Sequence, residues 1–421
     1  MDLTIGAVPL MYLPLDDAQS NKSSSRRNIV RATALICAVG LAGAAFFSIK
    51  DNCCGNGITQ STMQRPAAMM RGVLPRAALA GRAFRPSSFN RRSVRGFADV
   101  MSASDMIAAD AFDPPSQKTA FMFPGQGAQF VGMGAALAEE VPEAKEYFDK
   151  ASEILGYDLL QLCKEGPKEK LDATDVSQPA IFVSSMAGIE KLKKDKGAGI
   201  VDDATVAMGL SLGEYSALCF AGAISFEDGV RLVQERGAAM QAAADMTKSS
   251  MASVIGLDSE KVSELCKAAS EQSGKPVQIA NYLCKGNYAV SGDAEAIDKV
   301  MEIAKPDFKA RMAVKLAVAG AFHTDFMKPA VERLQNMLDK VEVKEPRIPV
   351  VSNVDGKAHK DPKVIKEILK QQVTSPVLWE NTMAAMLESD FEQAYEIGPG
   401  KVLAGILKRF DKKAQIENIE V

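Results

Sequence analysis

The sequence predicts an α/β fold built on a parallel-sheet core, and three observations carry that expectation. From Lys118 onward, short apolar runs alternate with longer stretches of helical periodicity. The run at 205–208 enters Gly209-Leu210-Ser211-Leu212-Gly213, after which the pattern turns helical, as at a strand–turn–helix junction carrying an exposed serine. Pro124-Gly125-Gln126-Gly127 and Gly398-Pro399-Gly400 each break the chain just after an apolar run, where strands hand over to loops.

The elements follow in order. Residues 119–123 read as a strand, 176–192 as a helix and 205–208 as the strand entering the serine turn. Ser225 opens a helix, with Asp228 three residues on as its capping-box partner. Phe226, Val230, Val233, Gly237, Met240 and Ala244 follow as an apolar stripe. Arg236 lies at the edge of that stripe, where an arginine either snorkels to water or meets a buried anion. Residues 251–257, 259–273, 277–283, 288–291, 294–304 and 309–318 read β, α, β, β, α, β. That order suits a ferredoxin-like unit inserted into the larger one. The chain then returns to strand, helix, strand and helix at 348–352, 364–372, 394–397 and 401–409.

The ends of the chain differ in charge. Residues 1–100 hold 13 Lys/Arg and 5 Asp/Glu, leaving 37 and 48 for residues 101–421, a net −11. An acidic body argues against broad nucleic-acid binding, which needs a positive footprint. Residues 1–50 read as a signal-like leader whose apolar stretch, 29–49, ends among small residues; a single membrane anchor is the other reading of that stretch. Residues 51–112 read as an Arg-rich, transit-like segment expected to be disordered, with eight arginines from Arg65 to Arg95 and no acid between Asp51 and Asp99. Such a two-part leader resembles those of algal proteins that enter plastids through the secretory route, with a mitochondrial presequence as the alternative. The body is expected to comprise 118–246 with 320–421 as the large domain and 247–319 as the small one. Cys163, Cys219, Cys266 and Cys284 are widely spaced, without metal-ligand pairing, and are expected to be reduced.

Gly-x-Ser-x-Gly alone is weak, because a chain with 31 glycines can produce it by chance. A serine on such a turn has its hydroxyl at a helix N-terminus, beside N–H groups able to hold an oxyanion. It still needs a base. The chain has two histidines. His359 sits in a polar turn, Asp355-Gly356-Lys357-Ala358-His359-Lys360, and reads as solvated. His323, in Ala319-Gly320-Ala321-Phe322-His323-Thr324, is the favoured partner.

Six motifs occur in sequence: Phe123-Pro124-Gly125-Gln126-Gly127-Ala128-Gln129, Gly209-Leu210-Ser211-Leu212-Gly213-Glu214, Gln234-Glu235-Arg236-Gly237 with Met240, Phe322-His323-Thr324, Gln372-Val373-Thr374-Ser375-Pro376-Val377 and Glu396-Ile397-Gly398-Pro399-Gly400. Together they closely resemble malonyl-CoA:acyl carrier protein transacylase, the malonyl-loading family of type II fatty-acid synthesis, over roughly residues 118–412. The resemblance implies an α/β-hydrolase-like large domain and an acyltransferase working by ping-pong exchange. It assigns Ser211 as nucleophile, His323 as base and the main-chain carbonyl of Gln372 as the group orienting that base. The N–H groups of Leu212 and Gln126 would form the oxyanion hole. Arg236 would clamp the malonyl carboxylate, with Met240 and Phe322 lining the acyl site. Asn281 and Asn287 fall in a region that borders the acyl pocket in the family, without a firm match.

Malonyl-CoA and an acidic acyl carrier protein are the implied partners of a monomeric enzyme, with no cofactor, no metal, no nucleic acid and no membrane for the mature domain. Docking of the carrier needs a local basic patch, for which Lys305, Lys309, Arg311 and Lys315, or Lys408 and Arg409, are candidates. The sequence departs from the family at Leu210, where many members have His. Two other readings of the residues remain: an acyl-CoA thioesterase or serine hydrolase using the same dyad, and a non-catalytic acyltransferase-like binding protein.

Overall fold

The computed structural model describes residues 102–421. Among the described residues nine strands form two sheets: β1 (Thr119–Phe123), β2 (Val206–Gly209), β3 (Ser249–Ile255), β4 (Val277–Cys284), β5 (Asn287–Asp293), β6 (Met312–Lys315), β7 (Val350–Val351), β8 (Gln393–Ile397) and β9 (Ile416–Ile419). The larger sheet runs β7-β2-β1-β8-β9, with every neighbouring pair parallel. Its central strands are buried on both faces and therefore read as continuous apolar runs rather than alternating ones. The smaller sheet is antiparallel, in the order β4-β5-β3-β6. With helices Ser259–Ser273 and Ala294–Ile303 between its strands, it has the expected β-α-β-β-α-β succession.

Most expected elements are present with ends shifted by a few residues. The helix expected at 176–192 spans Thr174–Lys196 and is buried nearly all round, which hides its amphipathic period. Ser225 caps helix Phe226–Asp245, its hydroxyl accepting from the Asp228 N–H. Asp228 turns its carboxylate to Arg231 at 3.1 Å. The two long helices touch closely at Gly237, where a Cβ would press on the Thr174 carbonyl at 2.6 Å. That contact brings position 178 of one helix alongside position 236 of the other. Glu396, at the end of β8, accepts from the N–H groups of Leu403 and Ala404 at 2.8 Å each, satisfying donors in the first turn of helix Val402–Phe410.

Two expectations are corrected. The segment 51–112 was expected to be disordered, and its last part is not. Ala103–Asp110 is a helix packed on helix Pro362–Gln372, and Phe112 makes a β-bridge to Ala358. Ser102 caps it, and Ile107 buries its side chain with Val364 and Ile368. His359 is not solvated: the same N-terminal segment covers it to 3% exposure, and its Nε2 lies 3.0 Å from Asp355 Oδ2. The leader readings for 1–50, including the 29–49 apolar stretch, and for most of 51–112 lie outside the described residues. Among the described residues no helix is long and apolar enough to cross a membrane.

Candidate active site

β2 ends at Gly209, and helix Leu212–Phe220 begins three residues later. The turn between them is tight enough that a Cβ on Gly209 would fall on the Gly213 backbone, and one on Gly213 on the Phe123 carbonyl. Only glycine fits at either place. Ser211, at the apex, is driven to φ 53° and ψ −103°, a conformation that L-residues adopt only under constraint. Asn353 supplies that constraint from the loop after β7. Its Oδ1 accepts from the Ser211 N–H at 2.6 Å, and its Nδ2 donates to the Gly209 carbonyl at 2.8 Å.

His323 comes from the connection between the small sheet and helix Lys328–Leu338, again at positive φ, 60°. Its N–H donates to the Val373 carbonyl at 3.1 Å, and Thr324 Oγ1 closes the turn on the Ala321 carbonyl at 2.7 Å. His323 Nε2 lies 2.8 Å from Ser211 Oγ, and Nδ1 lies 2.9 Å from the Gln372 carbonyl oxygen. A carbonyl only accepts, so Nδ1 carries the proton and Nε2 presents its lone pair to the serine hydroxyl. No carboxylate is needed to set this tautomer. Burial, and then the positive Arg236, push the His323 imidazole down to about 4, so it stays neutral, with its Nε2 lone pair available, across the ordinary pH range.

Arg236 neither snorkels nor pairs with an acid. It is 1% exposed, with its guanidinium over the Tyr215 ring at 5.2 Å. Nη1 donates to Gln178 Oε1 at 2.8 Å, and Nη2 donates to Gln372 Oε1 at 2.8 Å and to Ser211 Oγ at 3.0 Å. Its Nε is buried without a hydrogen-bond partner. Among the described residues it makes no ion pair, so a desolvated cation with an unused donor stands beside the candidate nucleophile. A buried arrangement of that kind favours an incoming anion.

Ser211, His323, Arg236, Gln126, Met240 and Phe322 line one cleft, together with Met251 and Asn281 from the small sheet and Val318 just after it. Leu212 is the first residue of the elbow helix, where N–H groups lack intrahelical carbonyls. Gln126 lies in the loop after β1, which Gln129 braces by accepting from the Gly127 N–H at 2.7 Å and donating to Asp172 at 2.9 Å. Asn281 joins the cleft, with its Oδ1 buried and unpartnered. Asn287 instead accepts from Ser253 Oγ at 3.1 Å inside the small sheet. Leu210 packs into the cleft wall at 2% exposure.

Sequence reasoning missed Gln178, Asn353 and the part played by Glu214. The signals were faint: a Gln beside Pro179 inside a helix, an Asn after a short strand, and an acid in the first turn of the elbow helix. Among the described residues no group of three His, Cys, Asp or Glu side chains could hold a metal ion.

The acyl transferase domain family matches residues 120–421. A malonyl CoA-acyl carrier protein transacylase of Bacillus subtilis is 42% identical over 296 residues, covering 70% of this chain and 91% of that protein. The chain belongs to the malonyl-CoA-acyl carrier protein transacylase family. A member from Mus musculus, named as mitochondrial, is 40% identical over 311 residues, covering 72% of this chain and 81% of its own length. A solved malonyl-transacylase in complex with its type II polyketide acyl-carrier protein has a TM-score of 0.68 at 37% identity, covering 72% of this chain and 96% of that one. The family match spans both sheets, so it takes in the serine elbow and the small sheet together.

Proposed function

We propose that this chain transfers the malonyl group of malonyl-CoA to the phosphopantetheine thiol of acyl carrier protein through an ester on Ser211. One observation carries the reading: Ser211 Oγ lies between a neutral imidazole nitrogen at 2.8 Å and a buried guanidinium nitrogen at 3.0 Å. The first makes the hydroxyl a nucleophile. The second stands where an acyl group with a carboxylate one methylene beyond its carbonyl would need a cation.

Ser211 Oγ attacks the thioester carbon as its proton passes to His323 Nε2, and the Nδ1–H bond to the Gln372 carbonyl holds the imidazolium. The N–H groups of Leu212 and Gln126 receive the oxyanion. Collapse breaks the carbon–sulfur bond, and the coenzyme A thiolate takes the proton back from His323. The carrier thiol then gives its proton to His323 and attacks the ester, releasing Ser211 Oγ, which is reprotonated. The malonyl carboxylate takes two parallel hydrogen bonds from the Arg236 fork, a geometry lysine lacks. Met240 and Phe322 bound the acyl group. We assign 118–246 with 320–421 to the catalytic body and 247–319 to a unit that closes the cleft.

Mass spectrometry after mixing with malonyl-CoA is expected to find the malonyl adduct on Ser211, and holo-acyl carrier protein is expected to discharge it. Continuing coenzyme A release without carrier would instead mark a thioesterase, and an absent adduct a binding protein. In this chain Lys315 is engaged by Asp298 at 3.0 Å, and Lys408 donates to the Ala414 carbonyl at 2.6 Å. Lys309 is engaged likewise, donating to the Pro306 carbonyl at 2.6 Å, so Lys305 and Arg311 are the stronger candidates for meeting an acidic carrier.

We further propose that the basic N-terminal stretch directs the chain to the plastid, as its apolar and Arg-rich halves suggest. A relative named as mitochondrial supports the competing address. A fluorescent protein fused behind residue 117 is expected to label plastids, and mitochondrial labelling overturns this assignment.

A further inference from the structure

Glu214 is the third residue of the elbow helix, 2% exposed, beneath Ser211 and outside the cleft lining. Its Oε2 accepts from Gln372 Nε2 at 2.6 Å and from the Asn353 N–H at 3.1 Å. Those two residues hold the site. Asn353 grips the serine turn through the Ser211 N–H and the Gly209 carbonyl. Gln372 donates from Nε2 to the Ser211 carbonyl at 3.0 Å, accepts from Arg236 at Oε1, and orients His323 with its backbone carbonyl.

An amide side chain has a donor end and an acceptor end, and it can turn over. A carboxylate has only acceptors. Facing Glu214, the Gln372 amide has its nitrogen drawn inward and its oxygen left for the guanidinium. We propose that Glu214 is a positioning and specificity residue, whose acceptor-only carboxylate fixes the orientation of the Gln372 amide and so holds Arg236 for the malonyl carboxylate. Glu214 also supplies, through that amide, the negative charge the buried guanidinium lacks in direct contact. This proposal rests on Arg236 being the malonyl clamp.

A protonated Glu214 can donate, so its share of the constraint on Gln372 is then lost and only the Ser211 carbonyl and Arg236 hold the amide. Burial pushes this carboxyl up to about 7. The hydrogen bonds from Gln372 and Asn353 and the nearby His359 oppose that rise, while Asp355 adds to it. Arg236 stands beyond the amide, and Tyr215 is the neighbouring residue on the same helix. Because the anionic form does the positioning, malonyl preference is expected to rise as pH increases through about 7. His323, held near 4, adds nothing in that window.

The test compares kcat/KM for malonyl-CoA and acetyl-CoA in the full chain, Glu214→Gln and Arg236→Ala, at pH values on either side of 7. Glu214→Gln is expected to lower the malonyl-to-acetyl ratio about tenfold, the scale of one charge-assisted hydrogen bond, and to flatten its pH dependence. Equal losses with both substrates in Glu214→Gln, with Arg236→Ala still selective, overturn the role of Glu214 alone. Equal losses in Arg236→Ala overturn the clamp and this proposal with it. If Glu214→Gln fails to fold, the ratio in the unaltered chain decides: a rise through 7 supports the proposal, and a flat profile overturns it.

Discussion

His323→Ala is expected to slow formation of the malonyl ester by about 10²- to 10⁴-fold, the usual contribution of a positioned general base. Stopped-flow release of coenzyme A, with the Ser211 adduct followed by mass spectrometry, measures it. The only other histidine cannot substitute. His359 is buried and tied to Asp355 outside the cleft. The pH dependence of acylation is a second check. With the imidazole held near 4, its loss of function on acidification is expected well below the range where a solvent-exposed histidine titrates. The sign follows from the chemistry, since only the neutral ring accepts the serine proton. An unchanged acylation rate in His323→Ala would remove the dyad.

Arg236→Ala is expected to lower kcat/KM for malonyl-CoA about 10²- to 10⁴-fold, from the loss of two charge-assisted hydrogen bonds of roughly 1.5–3 kcal/mol each. Acetyl-CoA, which offers no carboxylate, is expected to lose much less. Some loss is expected with it too, because Nη2 also donates to Ser211 Oγ, and truncation strands the buried oxygens of Gln178 and Gln372. The selectivity ratio is therefore the informative quantity. Arg236→Lys is expected to fall short of full recovery, since an ammonium lacks the planar fork that holds Gln178, Gln372 and a ligand together. Parallel steady-state assays with both acyl-CoAs check it, and equal losses would dismiss the clamp.

Much of the fold was legible because it depends on neighbours in the chain. Strands β1, β2 and β8 announced themselves as apolar runs ending at glycine or proline, and Ser225 announced the start of the arginine helix. The antiparallel unit was readable from the succession of its elements. Other features were not. The helix at Ala103–Asp110 sits in a segment whose composition resembles a leader, and its packing on Pro362–Gln372 and the bridge from Phe112 to Ala358 depend on distant chain. β9 is four residues long, with Ile416 and Ile419 the only apolar positions, and its pairing with β8 decides it. His359 sits in a polar turn that a distant strand of chain happens to cover.

The site divides the same way. The elbow, its serine and the two glycines around it follow from the sequence alone, because the steric demands of that turn fall on adjacent residues. The choice of His323 also came from the chain, since so few imidazoles were available. Tertiary structure alone decided the state of Arg236. Whether it reached water or was enclosed depended on Gln178, 58 residues away, and Gln372, 136 residues away. Glu214 acquired its place the same way, through an amide 158 residues along the chain. Hydrogen bonds between such distant residues are set by how elements cross, and no local periodicity records a crossing.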